Sequence, residues 1–289
     1  MGTSSLSPKE NFARAIRCPD DEINLGAAAL YAASSEFPDL DVIAYQGRIA
    51  QFGIRVKDLL PANYSNFDFV DAMHEVLFGK AGFTGDSKDY FDPGNSHLNE
   101  VIDHLKGNPV TLSIFYIEVA RVSGEKVRGI SLRKHFVVVV GTGEDRIYID
   151  PFHSGGLLSR KECITNILGK DNFKNSDLDD LERKCLKPAS NRAILRRQLS
   201  NLKVAHEKHK QYDLALSASE RIQLVDPTNL RNLSELAHLQ TKVGNFGDAL
   251  DSLTQFLERA PAGSNTEQAE SALLKLKALT LRGSDDSSD

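Results

Sequence analysis

Apolar residues recur at helical spacing through most of the first hundred positions of this chain. The stretch DEINLGAAALYAASSE, residues 21–36, opens on acidic side chains suited to a helix N-terminus and is halted by Phe37-Pro38, which predicts a first helix. Further helical patterns cover 40–60, ending before Pro61, and 67–80, ending near Gly79 and Gly82. From Gly82 to Ser96 turn formers are dense, and Phe83, Tyr90 and Phe91 predict an ordered loop anchored by aromatic rings. LNEVIDHLKG reads as a short helix. PVTLSIFYIEVARVSG reads as a long one, apolar almost all round and therefore buried, with Pro109 in its first turn and Gly124 just past its end.

The period then changes. HFVVVV is a β-branched run typical of a strand covered on both faces, GTGED is a turn and RIYID the returning strand, so residues 127–150 predict a β-hairpin behind the buried helix. With a turn over Gly141 to Glu144, Val140 faces Asp145 and His135 stands directly opposite Asp150. A helix follows from Leu158 to Leu168. The polar stretch from Lys170 to Asn191, containing Pro188, then marks a domain boundary.

Beyond that boundary the chain repeats itself. A shift of 34 positions superimposes Leu199 on Leu233, Leu202 on Leu236, Tyr212 on Phe246, Ala215 on Ala249, Leu216 on Leu250 and Pro227 on Pro261. Paired leucines seal one helix, an aromatic starts the next, a small alanine lets helices approach closely and proline ends the unit. These residues resemble the tetratricopeptide repeat. Lys203 stands where that family has a small residue, and Lys210 stands where Gly244 makes the turn in the second unit, so the first unit is expected to turn differently. Residues 266–282 repeat the apolar spacing without the proline and read as a capping helix.

Composition narrows the function classes. At 289 residues, 40% apolar and 26% charged, the chain can bury a sizeable core in one large or two ordinary domains. A net charge of -5 argues against binding to nucleic acid or anionic membranes through a net basic surface. Cys18, Cys163 and Cys185 are odd in number, widely spaced and without a CxxC pair, which fits a reducing compartment. No run approaches the roughly 18 apolar residues of a membrane span, and the N-terminus lacks the apolar core of a secretory signal. The start MGTSSL misses the myristoylation pattern at Leu6. The expected setting is intracellular: the cytoplasm, or an organelle stroma after removal of a transit peptide.

The stretches EINLGAAALYAASSEFPDLDV, FGKAGFTGDSKDYFDPGNSHLNEVIDHLKGNPVTLSIFYIEVARVSG, KHFVVVV and IDPFHSGGLLSRKEC resemble the SirB-one-type branch of the transglutaminase-like superfamily. The resemblance implies an α+β fold: a mostly helical transglutaminase-like domain with a small antiparallel sheet, followed by an all-α repeat domain. In catalytic members a cysteine begins a buried helix, a histidine lies on the next strand and an aspartate on the strand after. A thiol at a helix N-terminus beside histidine has its pKa lowered, and the thiolate attacks an amide while the aspartate orients the imidazole. Here His135 and Asp150 match the strand positions, but Pro109 stands near the cysteine position. Loss of the nucleophile of a comparable triad costs about a millionfold in rate, so cysteine proteolysis or transamidation is not expected. Thr111 and Ser113 are the remaining hydroxyls near the helix start. They read either as substitute nucleophiles or as buried groups bonded back to the helix backbone.

His135 with Asp150 reads equally as a structural hydrogen-bonded pair. Asp150-Pro151 followed by Gly155-Gly156 reads as a turn, since no strand leads from it into a helix in the P-loop manner. His97, His104, His135 and His153 share no recognised metal-ligand spacing, so neither metal nor cofactor is expected. RAILRRQLSNLKVAHEKHK, residues 192–210, carries Arg192, Arg196, Arg197, Lys203, Lys208 and Lys210. It is either a solvated helix face or, on the inner helix of a repeat, a site where Arg196, Arg197 and Lys203 meet the carboxylates of an acidic or C-terminal peptide.

The expected organisation is a flexible N-terminus over 1–19, a transglutaminase-like domain over 20–187, two repeats with a cap over 191–283, and a disordered acidic tail over 284–289. The leading functional reading is a noncatalytic adaptor that binds protein partners. Related domains occur in proteins that select substrates for degradation, so the resemblance implies a setting in protein turnover or complex assembly. The alternative is a hydrolase or acyl transferase using His135 and Asp150 with a hydroxyl or a water.

Overall fold

Side-chain caps set most of the helix starts. The computed structural model of the protein describes residues 6–169, 173–174, 177–263 and 266–285. They form two units, Met1–Gln198 and Leu199–Asp289.

The first unit opens with α1 (Pro8–Ala15), α2 (Leu25–Ala33), α3 (Val42–Leu59) and α4 (Asn66–Met73), the last running on as wider π-type turns over His74–Lys80. Asn24 and Asp41 accept hydrogen bonds from the backbone N–H of Ala27 and Ala44, which fixes where α2 and α3 begin. Residues 8–15, expected to be flexible, form a helix because Ser7 and Glu10 make a reciprocal cap around Pro8, while Phe12 is fully buried.

After the short strand β1 (Thr84–Gly85) come α5 (Leu98–His104), β2 (Lys106–Gly107), which pairs with β1 in parallel, and α6 (Pro109–Ser123). Every residue of α6 except Arg121 and Val122 is buried. Its C-terminus stops at Gly124, whose φ of 102° is left-handed. Helix α3 packs on it closely at Gly53, where a Cβ would lie 2.9 Å from the Val119 carbonyl oxygen.

The sheet is larger than a hairpin. β3 (Arg128–Leu132), β4 (His135–Val140), β5 (Ile147–Asp150) and β6 (Gly156–Leu158) form one antiparallel sheet in chain order. Its Ile130, Leu132, Val137, Val139 and Tyr148 pack with Cys163, Ile164 and Leu186, joined by Leu178 and Leu181. Those partners lie on or beside α7 (Arg160–Leu168) and α8 (Leu178–Cys185). Phe136, Val138 and Val140 are buried as well, and α6 packs against β4, which explains a continuous apolar strand. The stretch expected to separate the domains thus contributes a helix to this core, and Pro188 bridges to Ile130.

The division between units falls inside α9 (Asn191–Lys208), after Gln198. Asp20 caps this helix from afar, its carboxylate accepting from the backbone N–H of Asn191 at 2.9 Å and of Arg192 at 2.8 Å. Ile194 and Leu195 are buried, and Gln198 donates to the Ser96 carbonyl at 2.9 Å.

The second unit continues with α10 (Tyr212–Val225), α11 (Leu230–Lys242), α12 (Phe246–Arg259) and α13 (Glu267–Asp285). The positions spaced by 34 are its core: Leu199, Leu202, Ala215, Leu233, Leu236 and Ala249 are all buried. Helices α10 and α12 each end two residues before a proline, Pro227 and Pro261. The two repeats turn alike, contrary to expectation, because Lys210 adopts the left-handed φ of 58° where Gly244 has 84°. Helix α13 extends through Asp285, and the rest of the acidic tail, 286–289, lies outside the described residues. Among the described residues no helix is long and apolar enough to cross a membrane.

Candidate functional site

The start of α6 is closed by its own cap. Asn108 Oδ1 accepts from the N–H of Val110 at 2.9 Å and of Thr111 at 3.0 Å, and from Thr111 Oγ1 at 3.2 Å. Its amide nitrogen donates to Ser96 Oγ at 2.8 Å. Pro109 occupies the first helical position and offers neither nucleophile nor N–H. Ser113 Oγ donates to the Pro109 carbonyl at 2.7 Å. Thr111 and Ser113 are both fully buried, so each hydroxyl is spent within the helix start rather than presented to a substrate.

The structure brings His135 and Asp150 together, Nε2 to Oδ2 at 2.7 Å. They are not directly opposite in the sheet, however. The loop after β4 is longer than the assumed turn because Gly143–Asp145 makes a 3₁₀ turn, so Val140 pairs with Ile147 and Val138 with Ile149. The register is displaced by two residues. A shift of two keeps both side chains on one face and makes the contact diagonal, still within reach of an imidazole.

A second imidazole joins them. The chain leaves β5 through a 3₁₀ turn, Pro151–His153, in which Asp150 Oδ1 accepts from the N–H of Phe152 at 3.0 Å and of His153 at 3.3 Å. This folds His153 back so that its Nδ1 also lies 2.7 Å from Asp150 Oδ2. Burial works to raise the pKa of the Asp150 carboxyl, but the hydrogen bonds from His135 and His153 and their charge outweigh it and hold the group below its ordinary value. The turn leads into β6 rather than a helix. Gly155 takes a φ of 81°, and a Cβ there would lie 2.6 Å from the Phe78 ring.

Aromatic rings edge the cluster. Phe152 lies 6.0 Å from the His135 ring and 5.1 Å from that of His153, and Tyr90 lies 6.2 Å from Phe152. Of the three aromatics expected to anchor the 82–96 loop, Phe83 is buried against Phe52 and Phe115. Tyr90 and Phe91 are exposed.

The remaining candidates lie elsewhere. His97 pairs with Glu36 and His104 with Glu100. Burial pushes the Cys163 thiol up to about 12, so it does not replace the absent thiolate. The basic run of α9 is not one solvated face. Arg192 donates to the carbonyls of Ile16 and Cys18, Arg197 to Ser131 Oγ, while Arg196 is exposed. Lys203 is buried in the second unit and ion-paired with Glu235, leaving it little capacity for a partner's carboxylate.

A buried helix packed on an antiparallel sheet, with histidine and aspartate on successive strands, is the framework of transglutaminase-like proteins. The chain belongs to the transglutaminase-like superfamily, whose profile matches residues 43–200. A tetratricopeptide-repeat profile matches residues 190–274. A UPF0162 protein of Xylella fastidiosa (strain 9a5c) is 30% identical over 265 residues, covering 89% of this chain and 91% of that one. A UPF0162 protein of Vibrio cholerae is 25% identical over 211 residues, 73% of this chain and 75% of that one. Human F-box only protein 21 is 31% identical over 102 residues, 32% of this chain and 16% of that one. No solved structure matches the chain.

Proposed function

We propose that the protein is a noncatalytic adaptor: a transglutaminase-like domain that has lost its nucleophile, joined to helical repeats that engage protein partners. One observation carries the reading. Pro109 opens α6, and the two hydroxyls that follow, Thr111 and Ser113, are fully buried and donate to Asn108 Oδ1 and the Pro109 carbonyl. Proline supplies no nucleophile, and a buried alcohol already donating its proton supplies a poor one. The repeats support protein binding, and an acidic or C-terminal peptide is the partner chemistry that Arg196 and Arg197 suit. Protein turnover or complex assembly is the setting this implies by analogy.

Affinity purification of the full chain from native extract tests it. A reproducible partner is expected, lost on the double change Arg196→Glu and Arg197→Glu; unchanged recovery counts against binding through these arginines. The 2.7 Å contact of His135 Nε2 with Asp150 favours one other reading, hydrolysis by a water activated at His135 Nδ1. Turnover of amide or ester substrates that disappears with His135→Ala would establish it in place of the adaptor.

A further inference from the structure

His135, Asp150 and His153 carry more than a hydrogen-bonded pair needs. A carboxylate that merely orients one imidazole requires one partner, and here two imidazole nitrogens, from a strand and from a turn, converge on the same oxygen at 2.7 Å each. One ring nitrogen of each histidine and a carboxylate oxygen of Asp150 all lie within 4.8 Å of one another. The carboxylate is fixed from behind: its other oxygen is held by the N–H groups of Phe152 and His153, so Oδ2 is committed to the side where the imidazoles meet. This is the outer-shell support that metal-ligating carboxylates receive. Asp150 is buried and His135 nearly so, whereas the side chain of His153 is 68% exposed, which leaves one side open to solvent. Backbone strain is concentrated at the same place, since Ser154, directly after His153, sits at a left-handed φ of 52°.

We propose that these three side chains form a binding site for a divalent transition metal of the zinc class. Two imidazoles and one carboxylate are the donors that such ions take in open sites, with the remaining position left to water or to an incoming group. The geometry requires little adjustment. Ligand atoms about 2.0–2.1 Å from a tetrahedral ion stand about 3.3 Å apart, so the 2.7 Å contacts must open by roughly half an ångström. His153, on an exposed turn, can supply that movement. Metal binding requires each imidazole to carry its proton on the ring nitrogen that faces away from Oδ2, and the ion then takes the place of any N–H between the rings and the carboxylate. No spacing rule reveals the site, because His135 is brought to the Asp150–His153 turn only by the sheet.

The test uses the full-length protein without a histidine tag, stripped with a chelator and titrated with zinc by calorimetry and with cobalt by visible absorption. One equivalent of each metal is expected, with the intense visible bands of tetrahedrally coordinated cobalt. His153→Ala should weaken binding at least about tenfold, since losing a ligand costs no less than losing its outer-shell support. That substitution lies on an exposed turn and should leave the far-ultraviolet dichroism of the metal-free protein unchanged, with only a small fall in melting temperature from the lost contact to Asp150. Asp150→Asn should weaken binding similarly, and His104→Ala, an exposed histidine elsewhere, should not. Absence of saturable binding by the wild type, or equal binding by the wild type and His153→Ala, overturns the site.

Discussion

His135 and Asp150 touch across a sheet in which they are not opposite neighbours: Nε2 meets Oδ2 at 2.7 Å while the ladder pairs Val138 with Ile149. The contact survives the longer loop because a strand presents every second residue to one face, and the displacement is an even one.

That contact has a pH signature. The folded-state pKa of Asp150 is lowered, so the unfolded chain binds the proton more readily and the ionised carboxylate stabilises the fold above its unfolded value of about 3.9. This contribution disappears as pH falls through the folded pKa. Urea unfolding of wild type and Asp150→Asn should therefore differ by a roughly constant free energy above about pH 5, a gap that begins to close near pH 4 and vanishes only below the depressed folded pKa. Parallel profiles down to the acid limit would show that the carboxylate gains nothing from its histidines.

Asn108 holds the start of the central helix. Asn108→Ala removes the cap of α6 and leaves the buried Ser96 hydroxyl without its donor. The expected loss is about 2–5 kcal/mol, from a cap worth about 1–2 and an unsatisfied buried group worth about 1–3. Chemical denaturation measures it, and Asn108→Ser, which keeps an acceptor, should recover part.

Charge reversal at Lys203 tests the fold rather than partner binding. Lys203→Glu buries a carboxylate against Glu235 and should cost about 3–5 kcal/mol. Lys203→Met should cost roughly 1–2 kcal/mol, because Glu235 is partly exposed and keeps Arg231 at 2.9 Å. Equal melting temperatures for the two variants would contradict the buried pair.

Lys210 carries strain that glycine relieves. Its left-handed backbone is the conformation Gly244 adopts freely one repeat later, so Lys210→Gly should stabilise the protein by about 0.5–1 kcal/mol despite the greater freedom of glycine in the unfolded chain. A lowered melting temperature would refute the argument.

Much of this was legible in the residues. Pro109 and Gly124 bracket α6 because each is compatible with helix only at an end, and the 34-residue spacing marks the buried positions of the repeats directly. Helix α1 also had its signal, Ser7 followed by Pro8 and Glu10, although no long apolar face announced it. Strand β3 was hidden by Gly129, a residue poor in strands, which is there because the Phe136 ring crosses it: a Cβ would stand 2.6 Å from that ring. Helix α8 shows only scattered leucines among charges and is stabilised by the sheet it covers. His153 failed every spacing test because its partner His135 is adjacent only in the folded sheet.

The cap that Asp20 places on α9 orders events during synthesis. Asp20 and Asn191 are separated by 171 positions, so the first unit cannot close when its sheet has formed. At about 5–20 residues per second, a ribosome needs roughly 10–30 s to deliver Asn191 after Asp20. Through that interval the Asp20 carboxylate lacks the α9 N–H groups that it caps, and the first unit cannot yet bury Ile194 and Leu195.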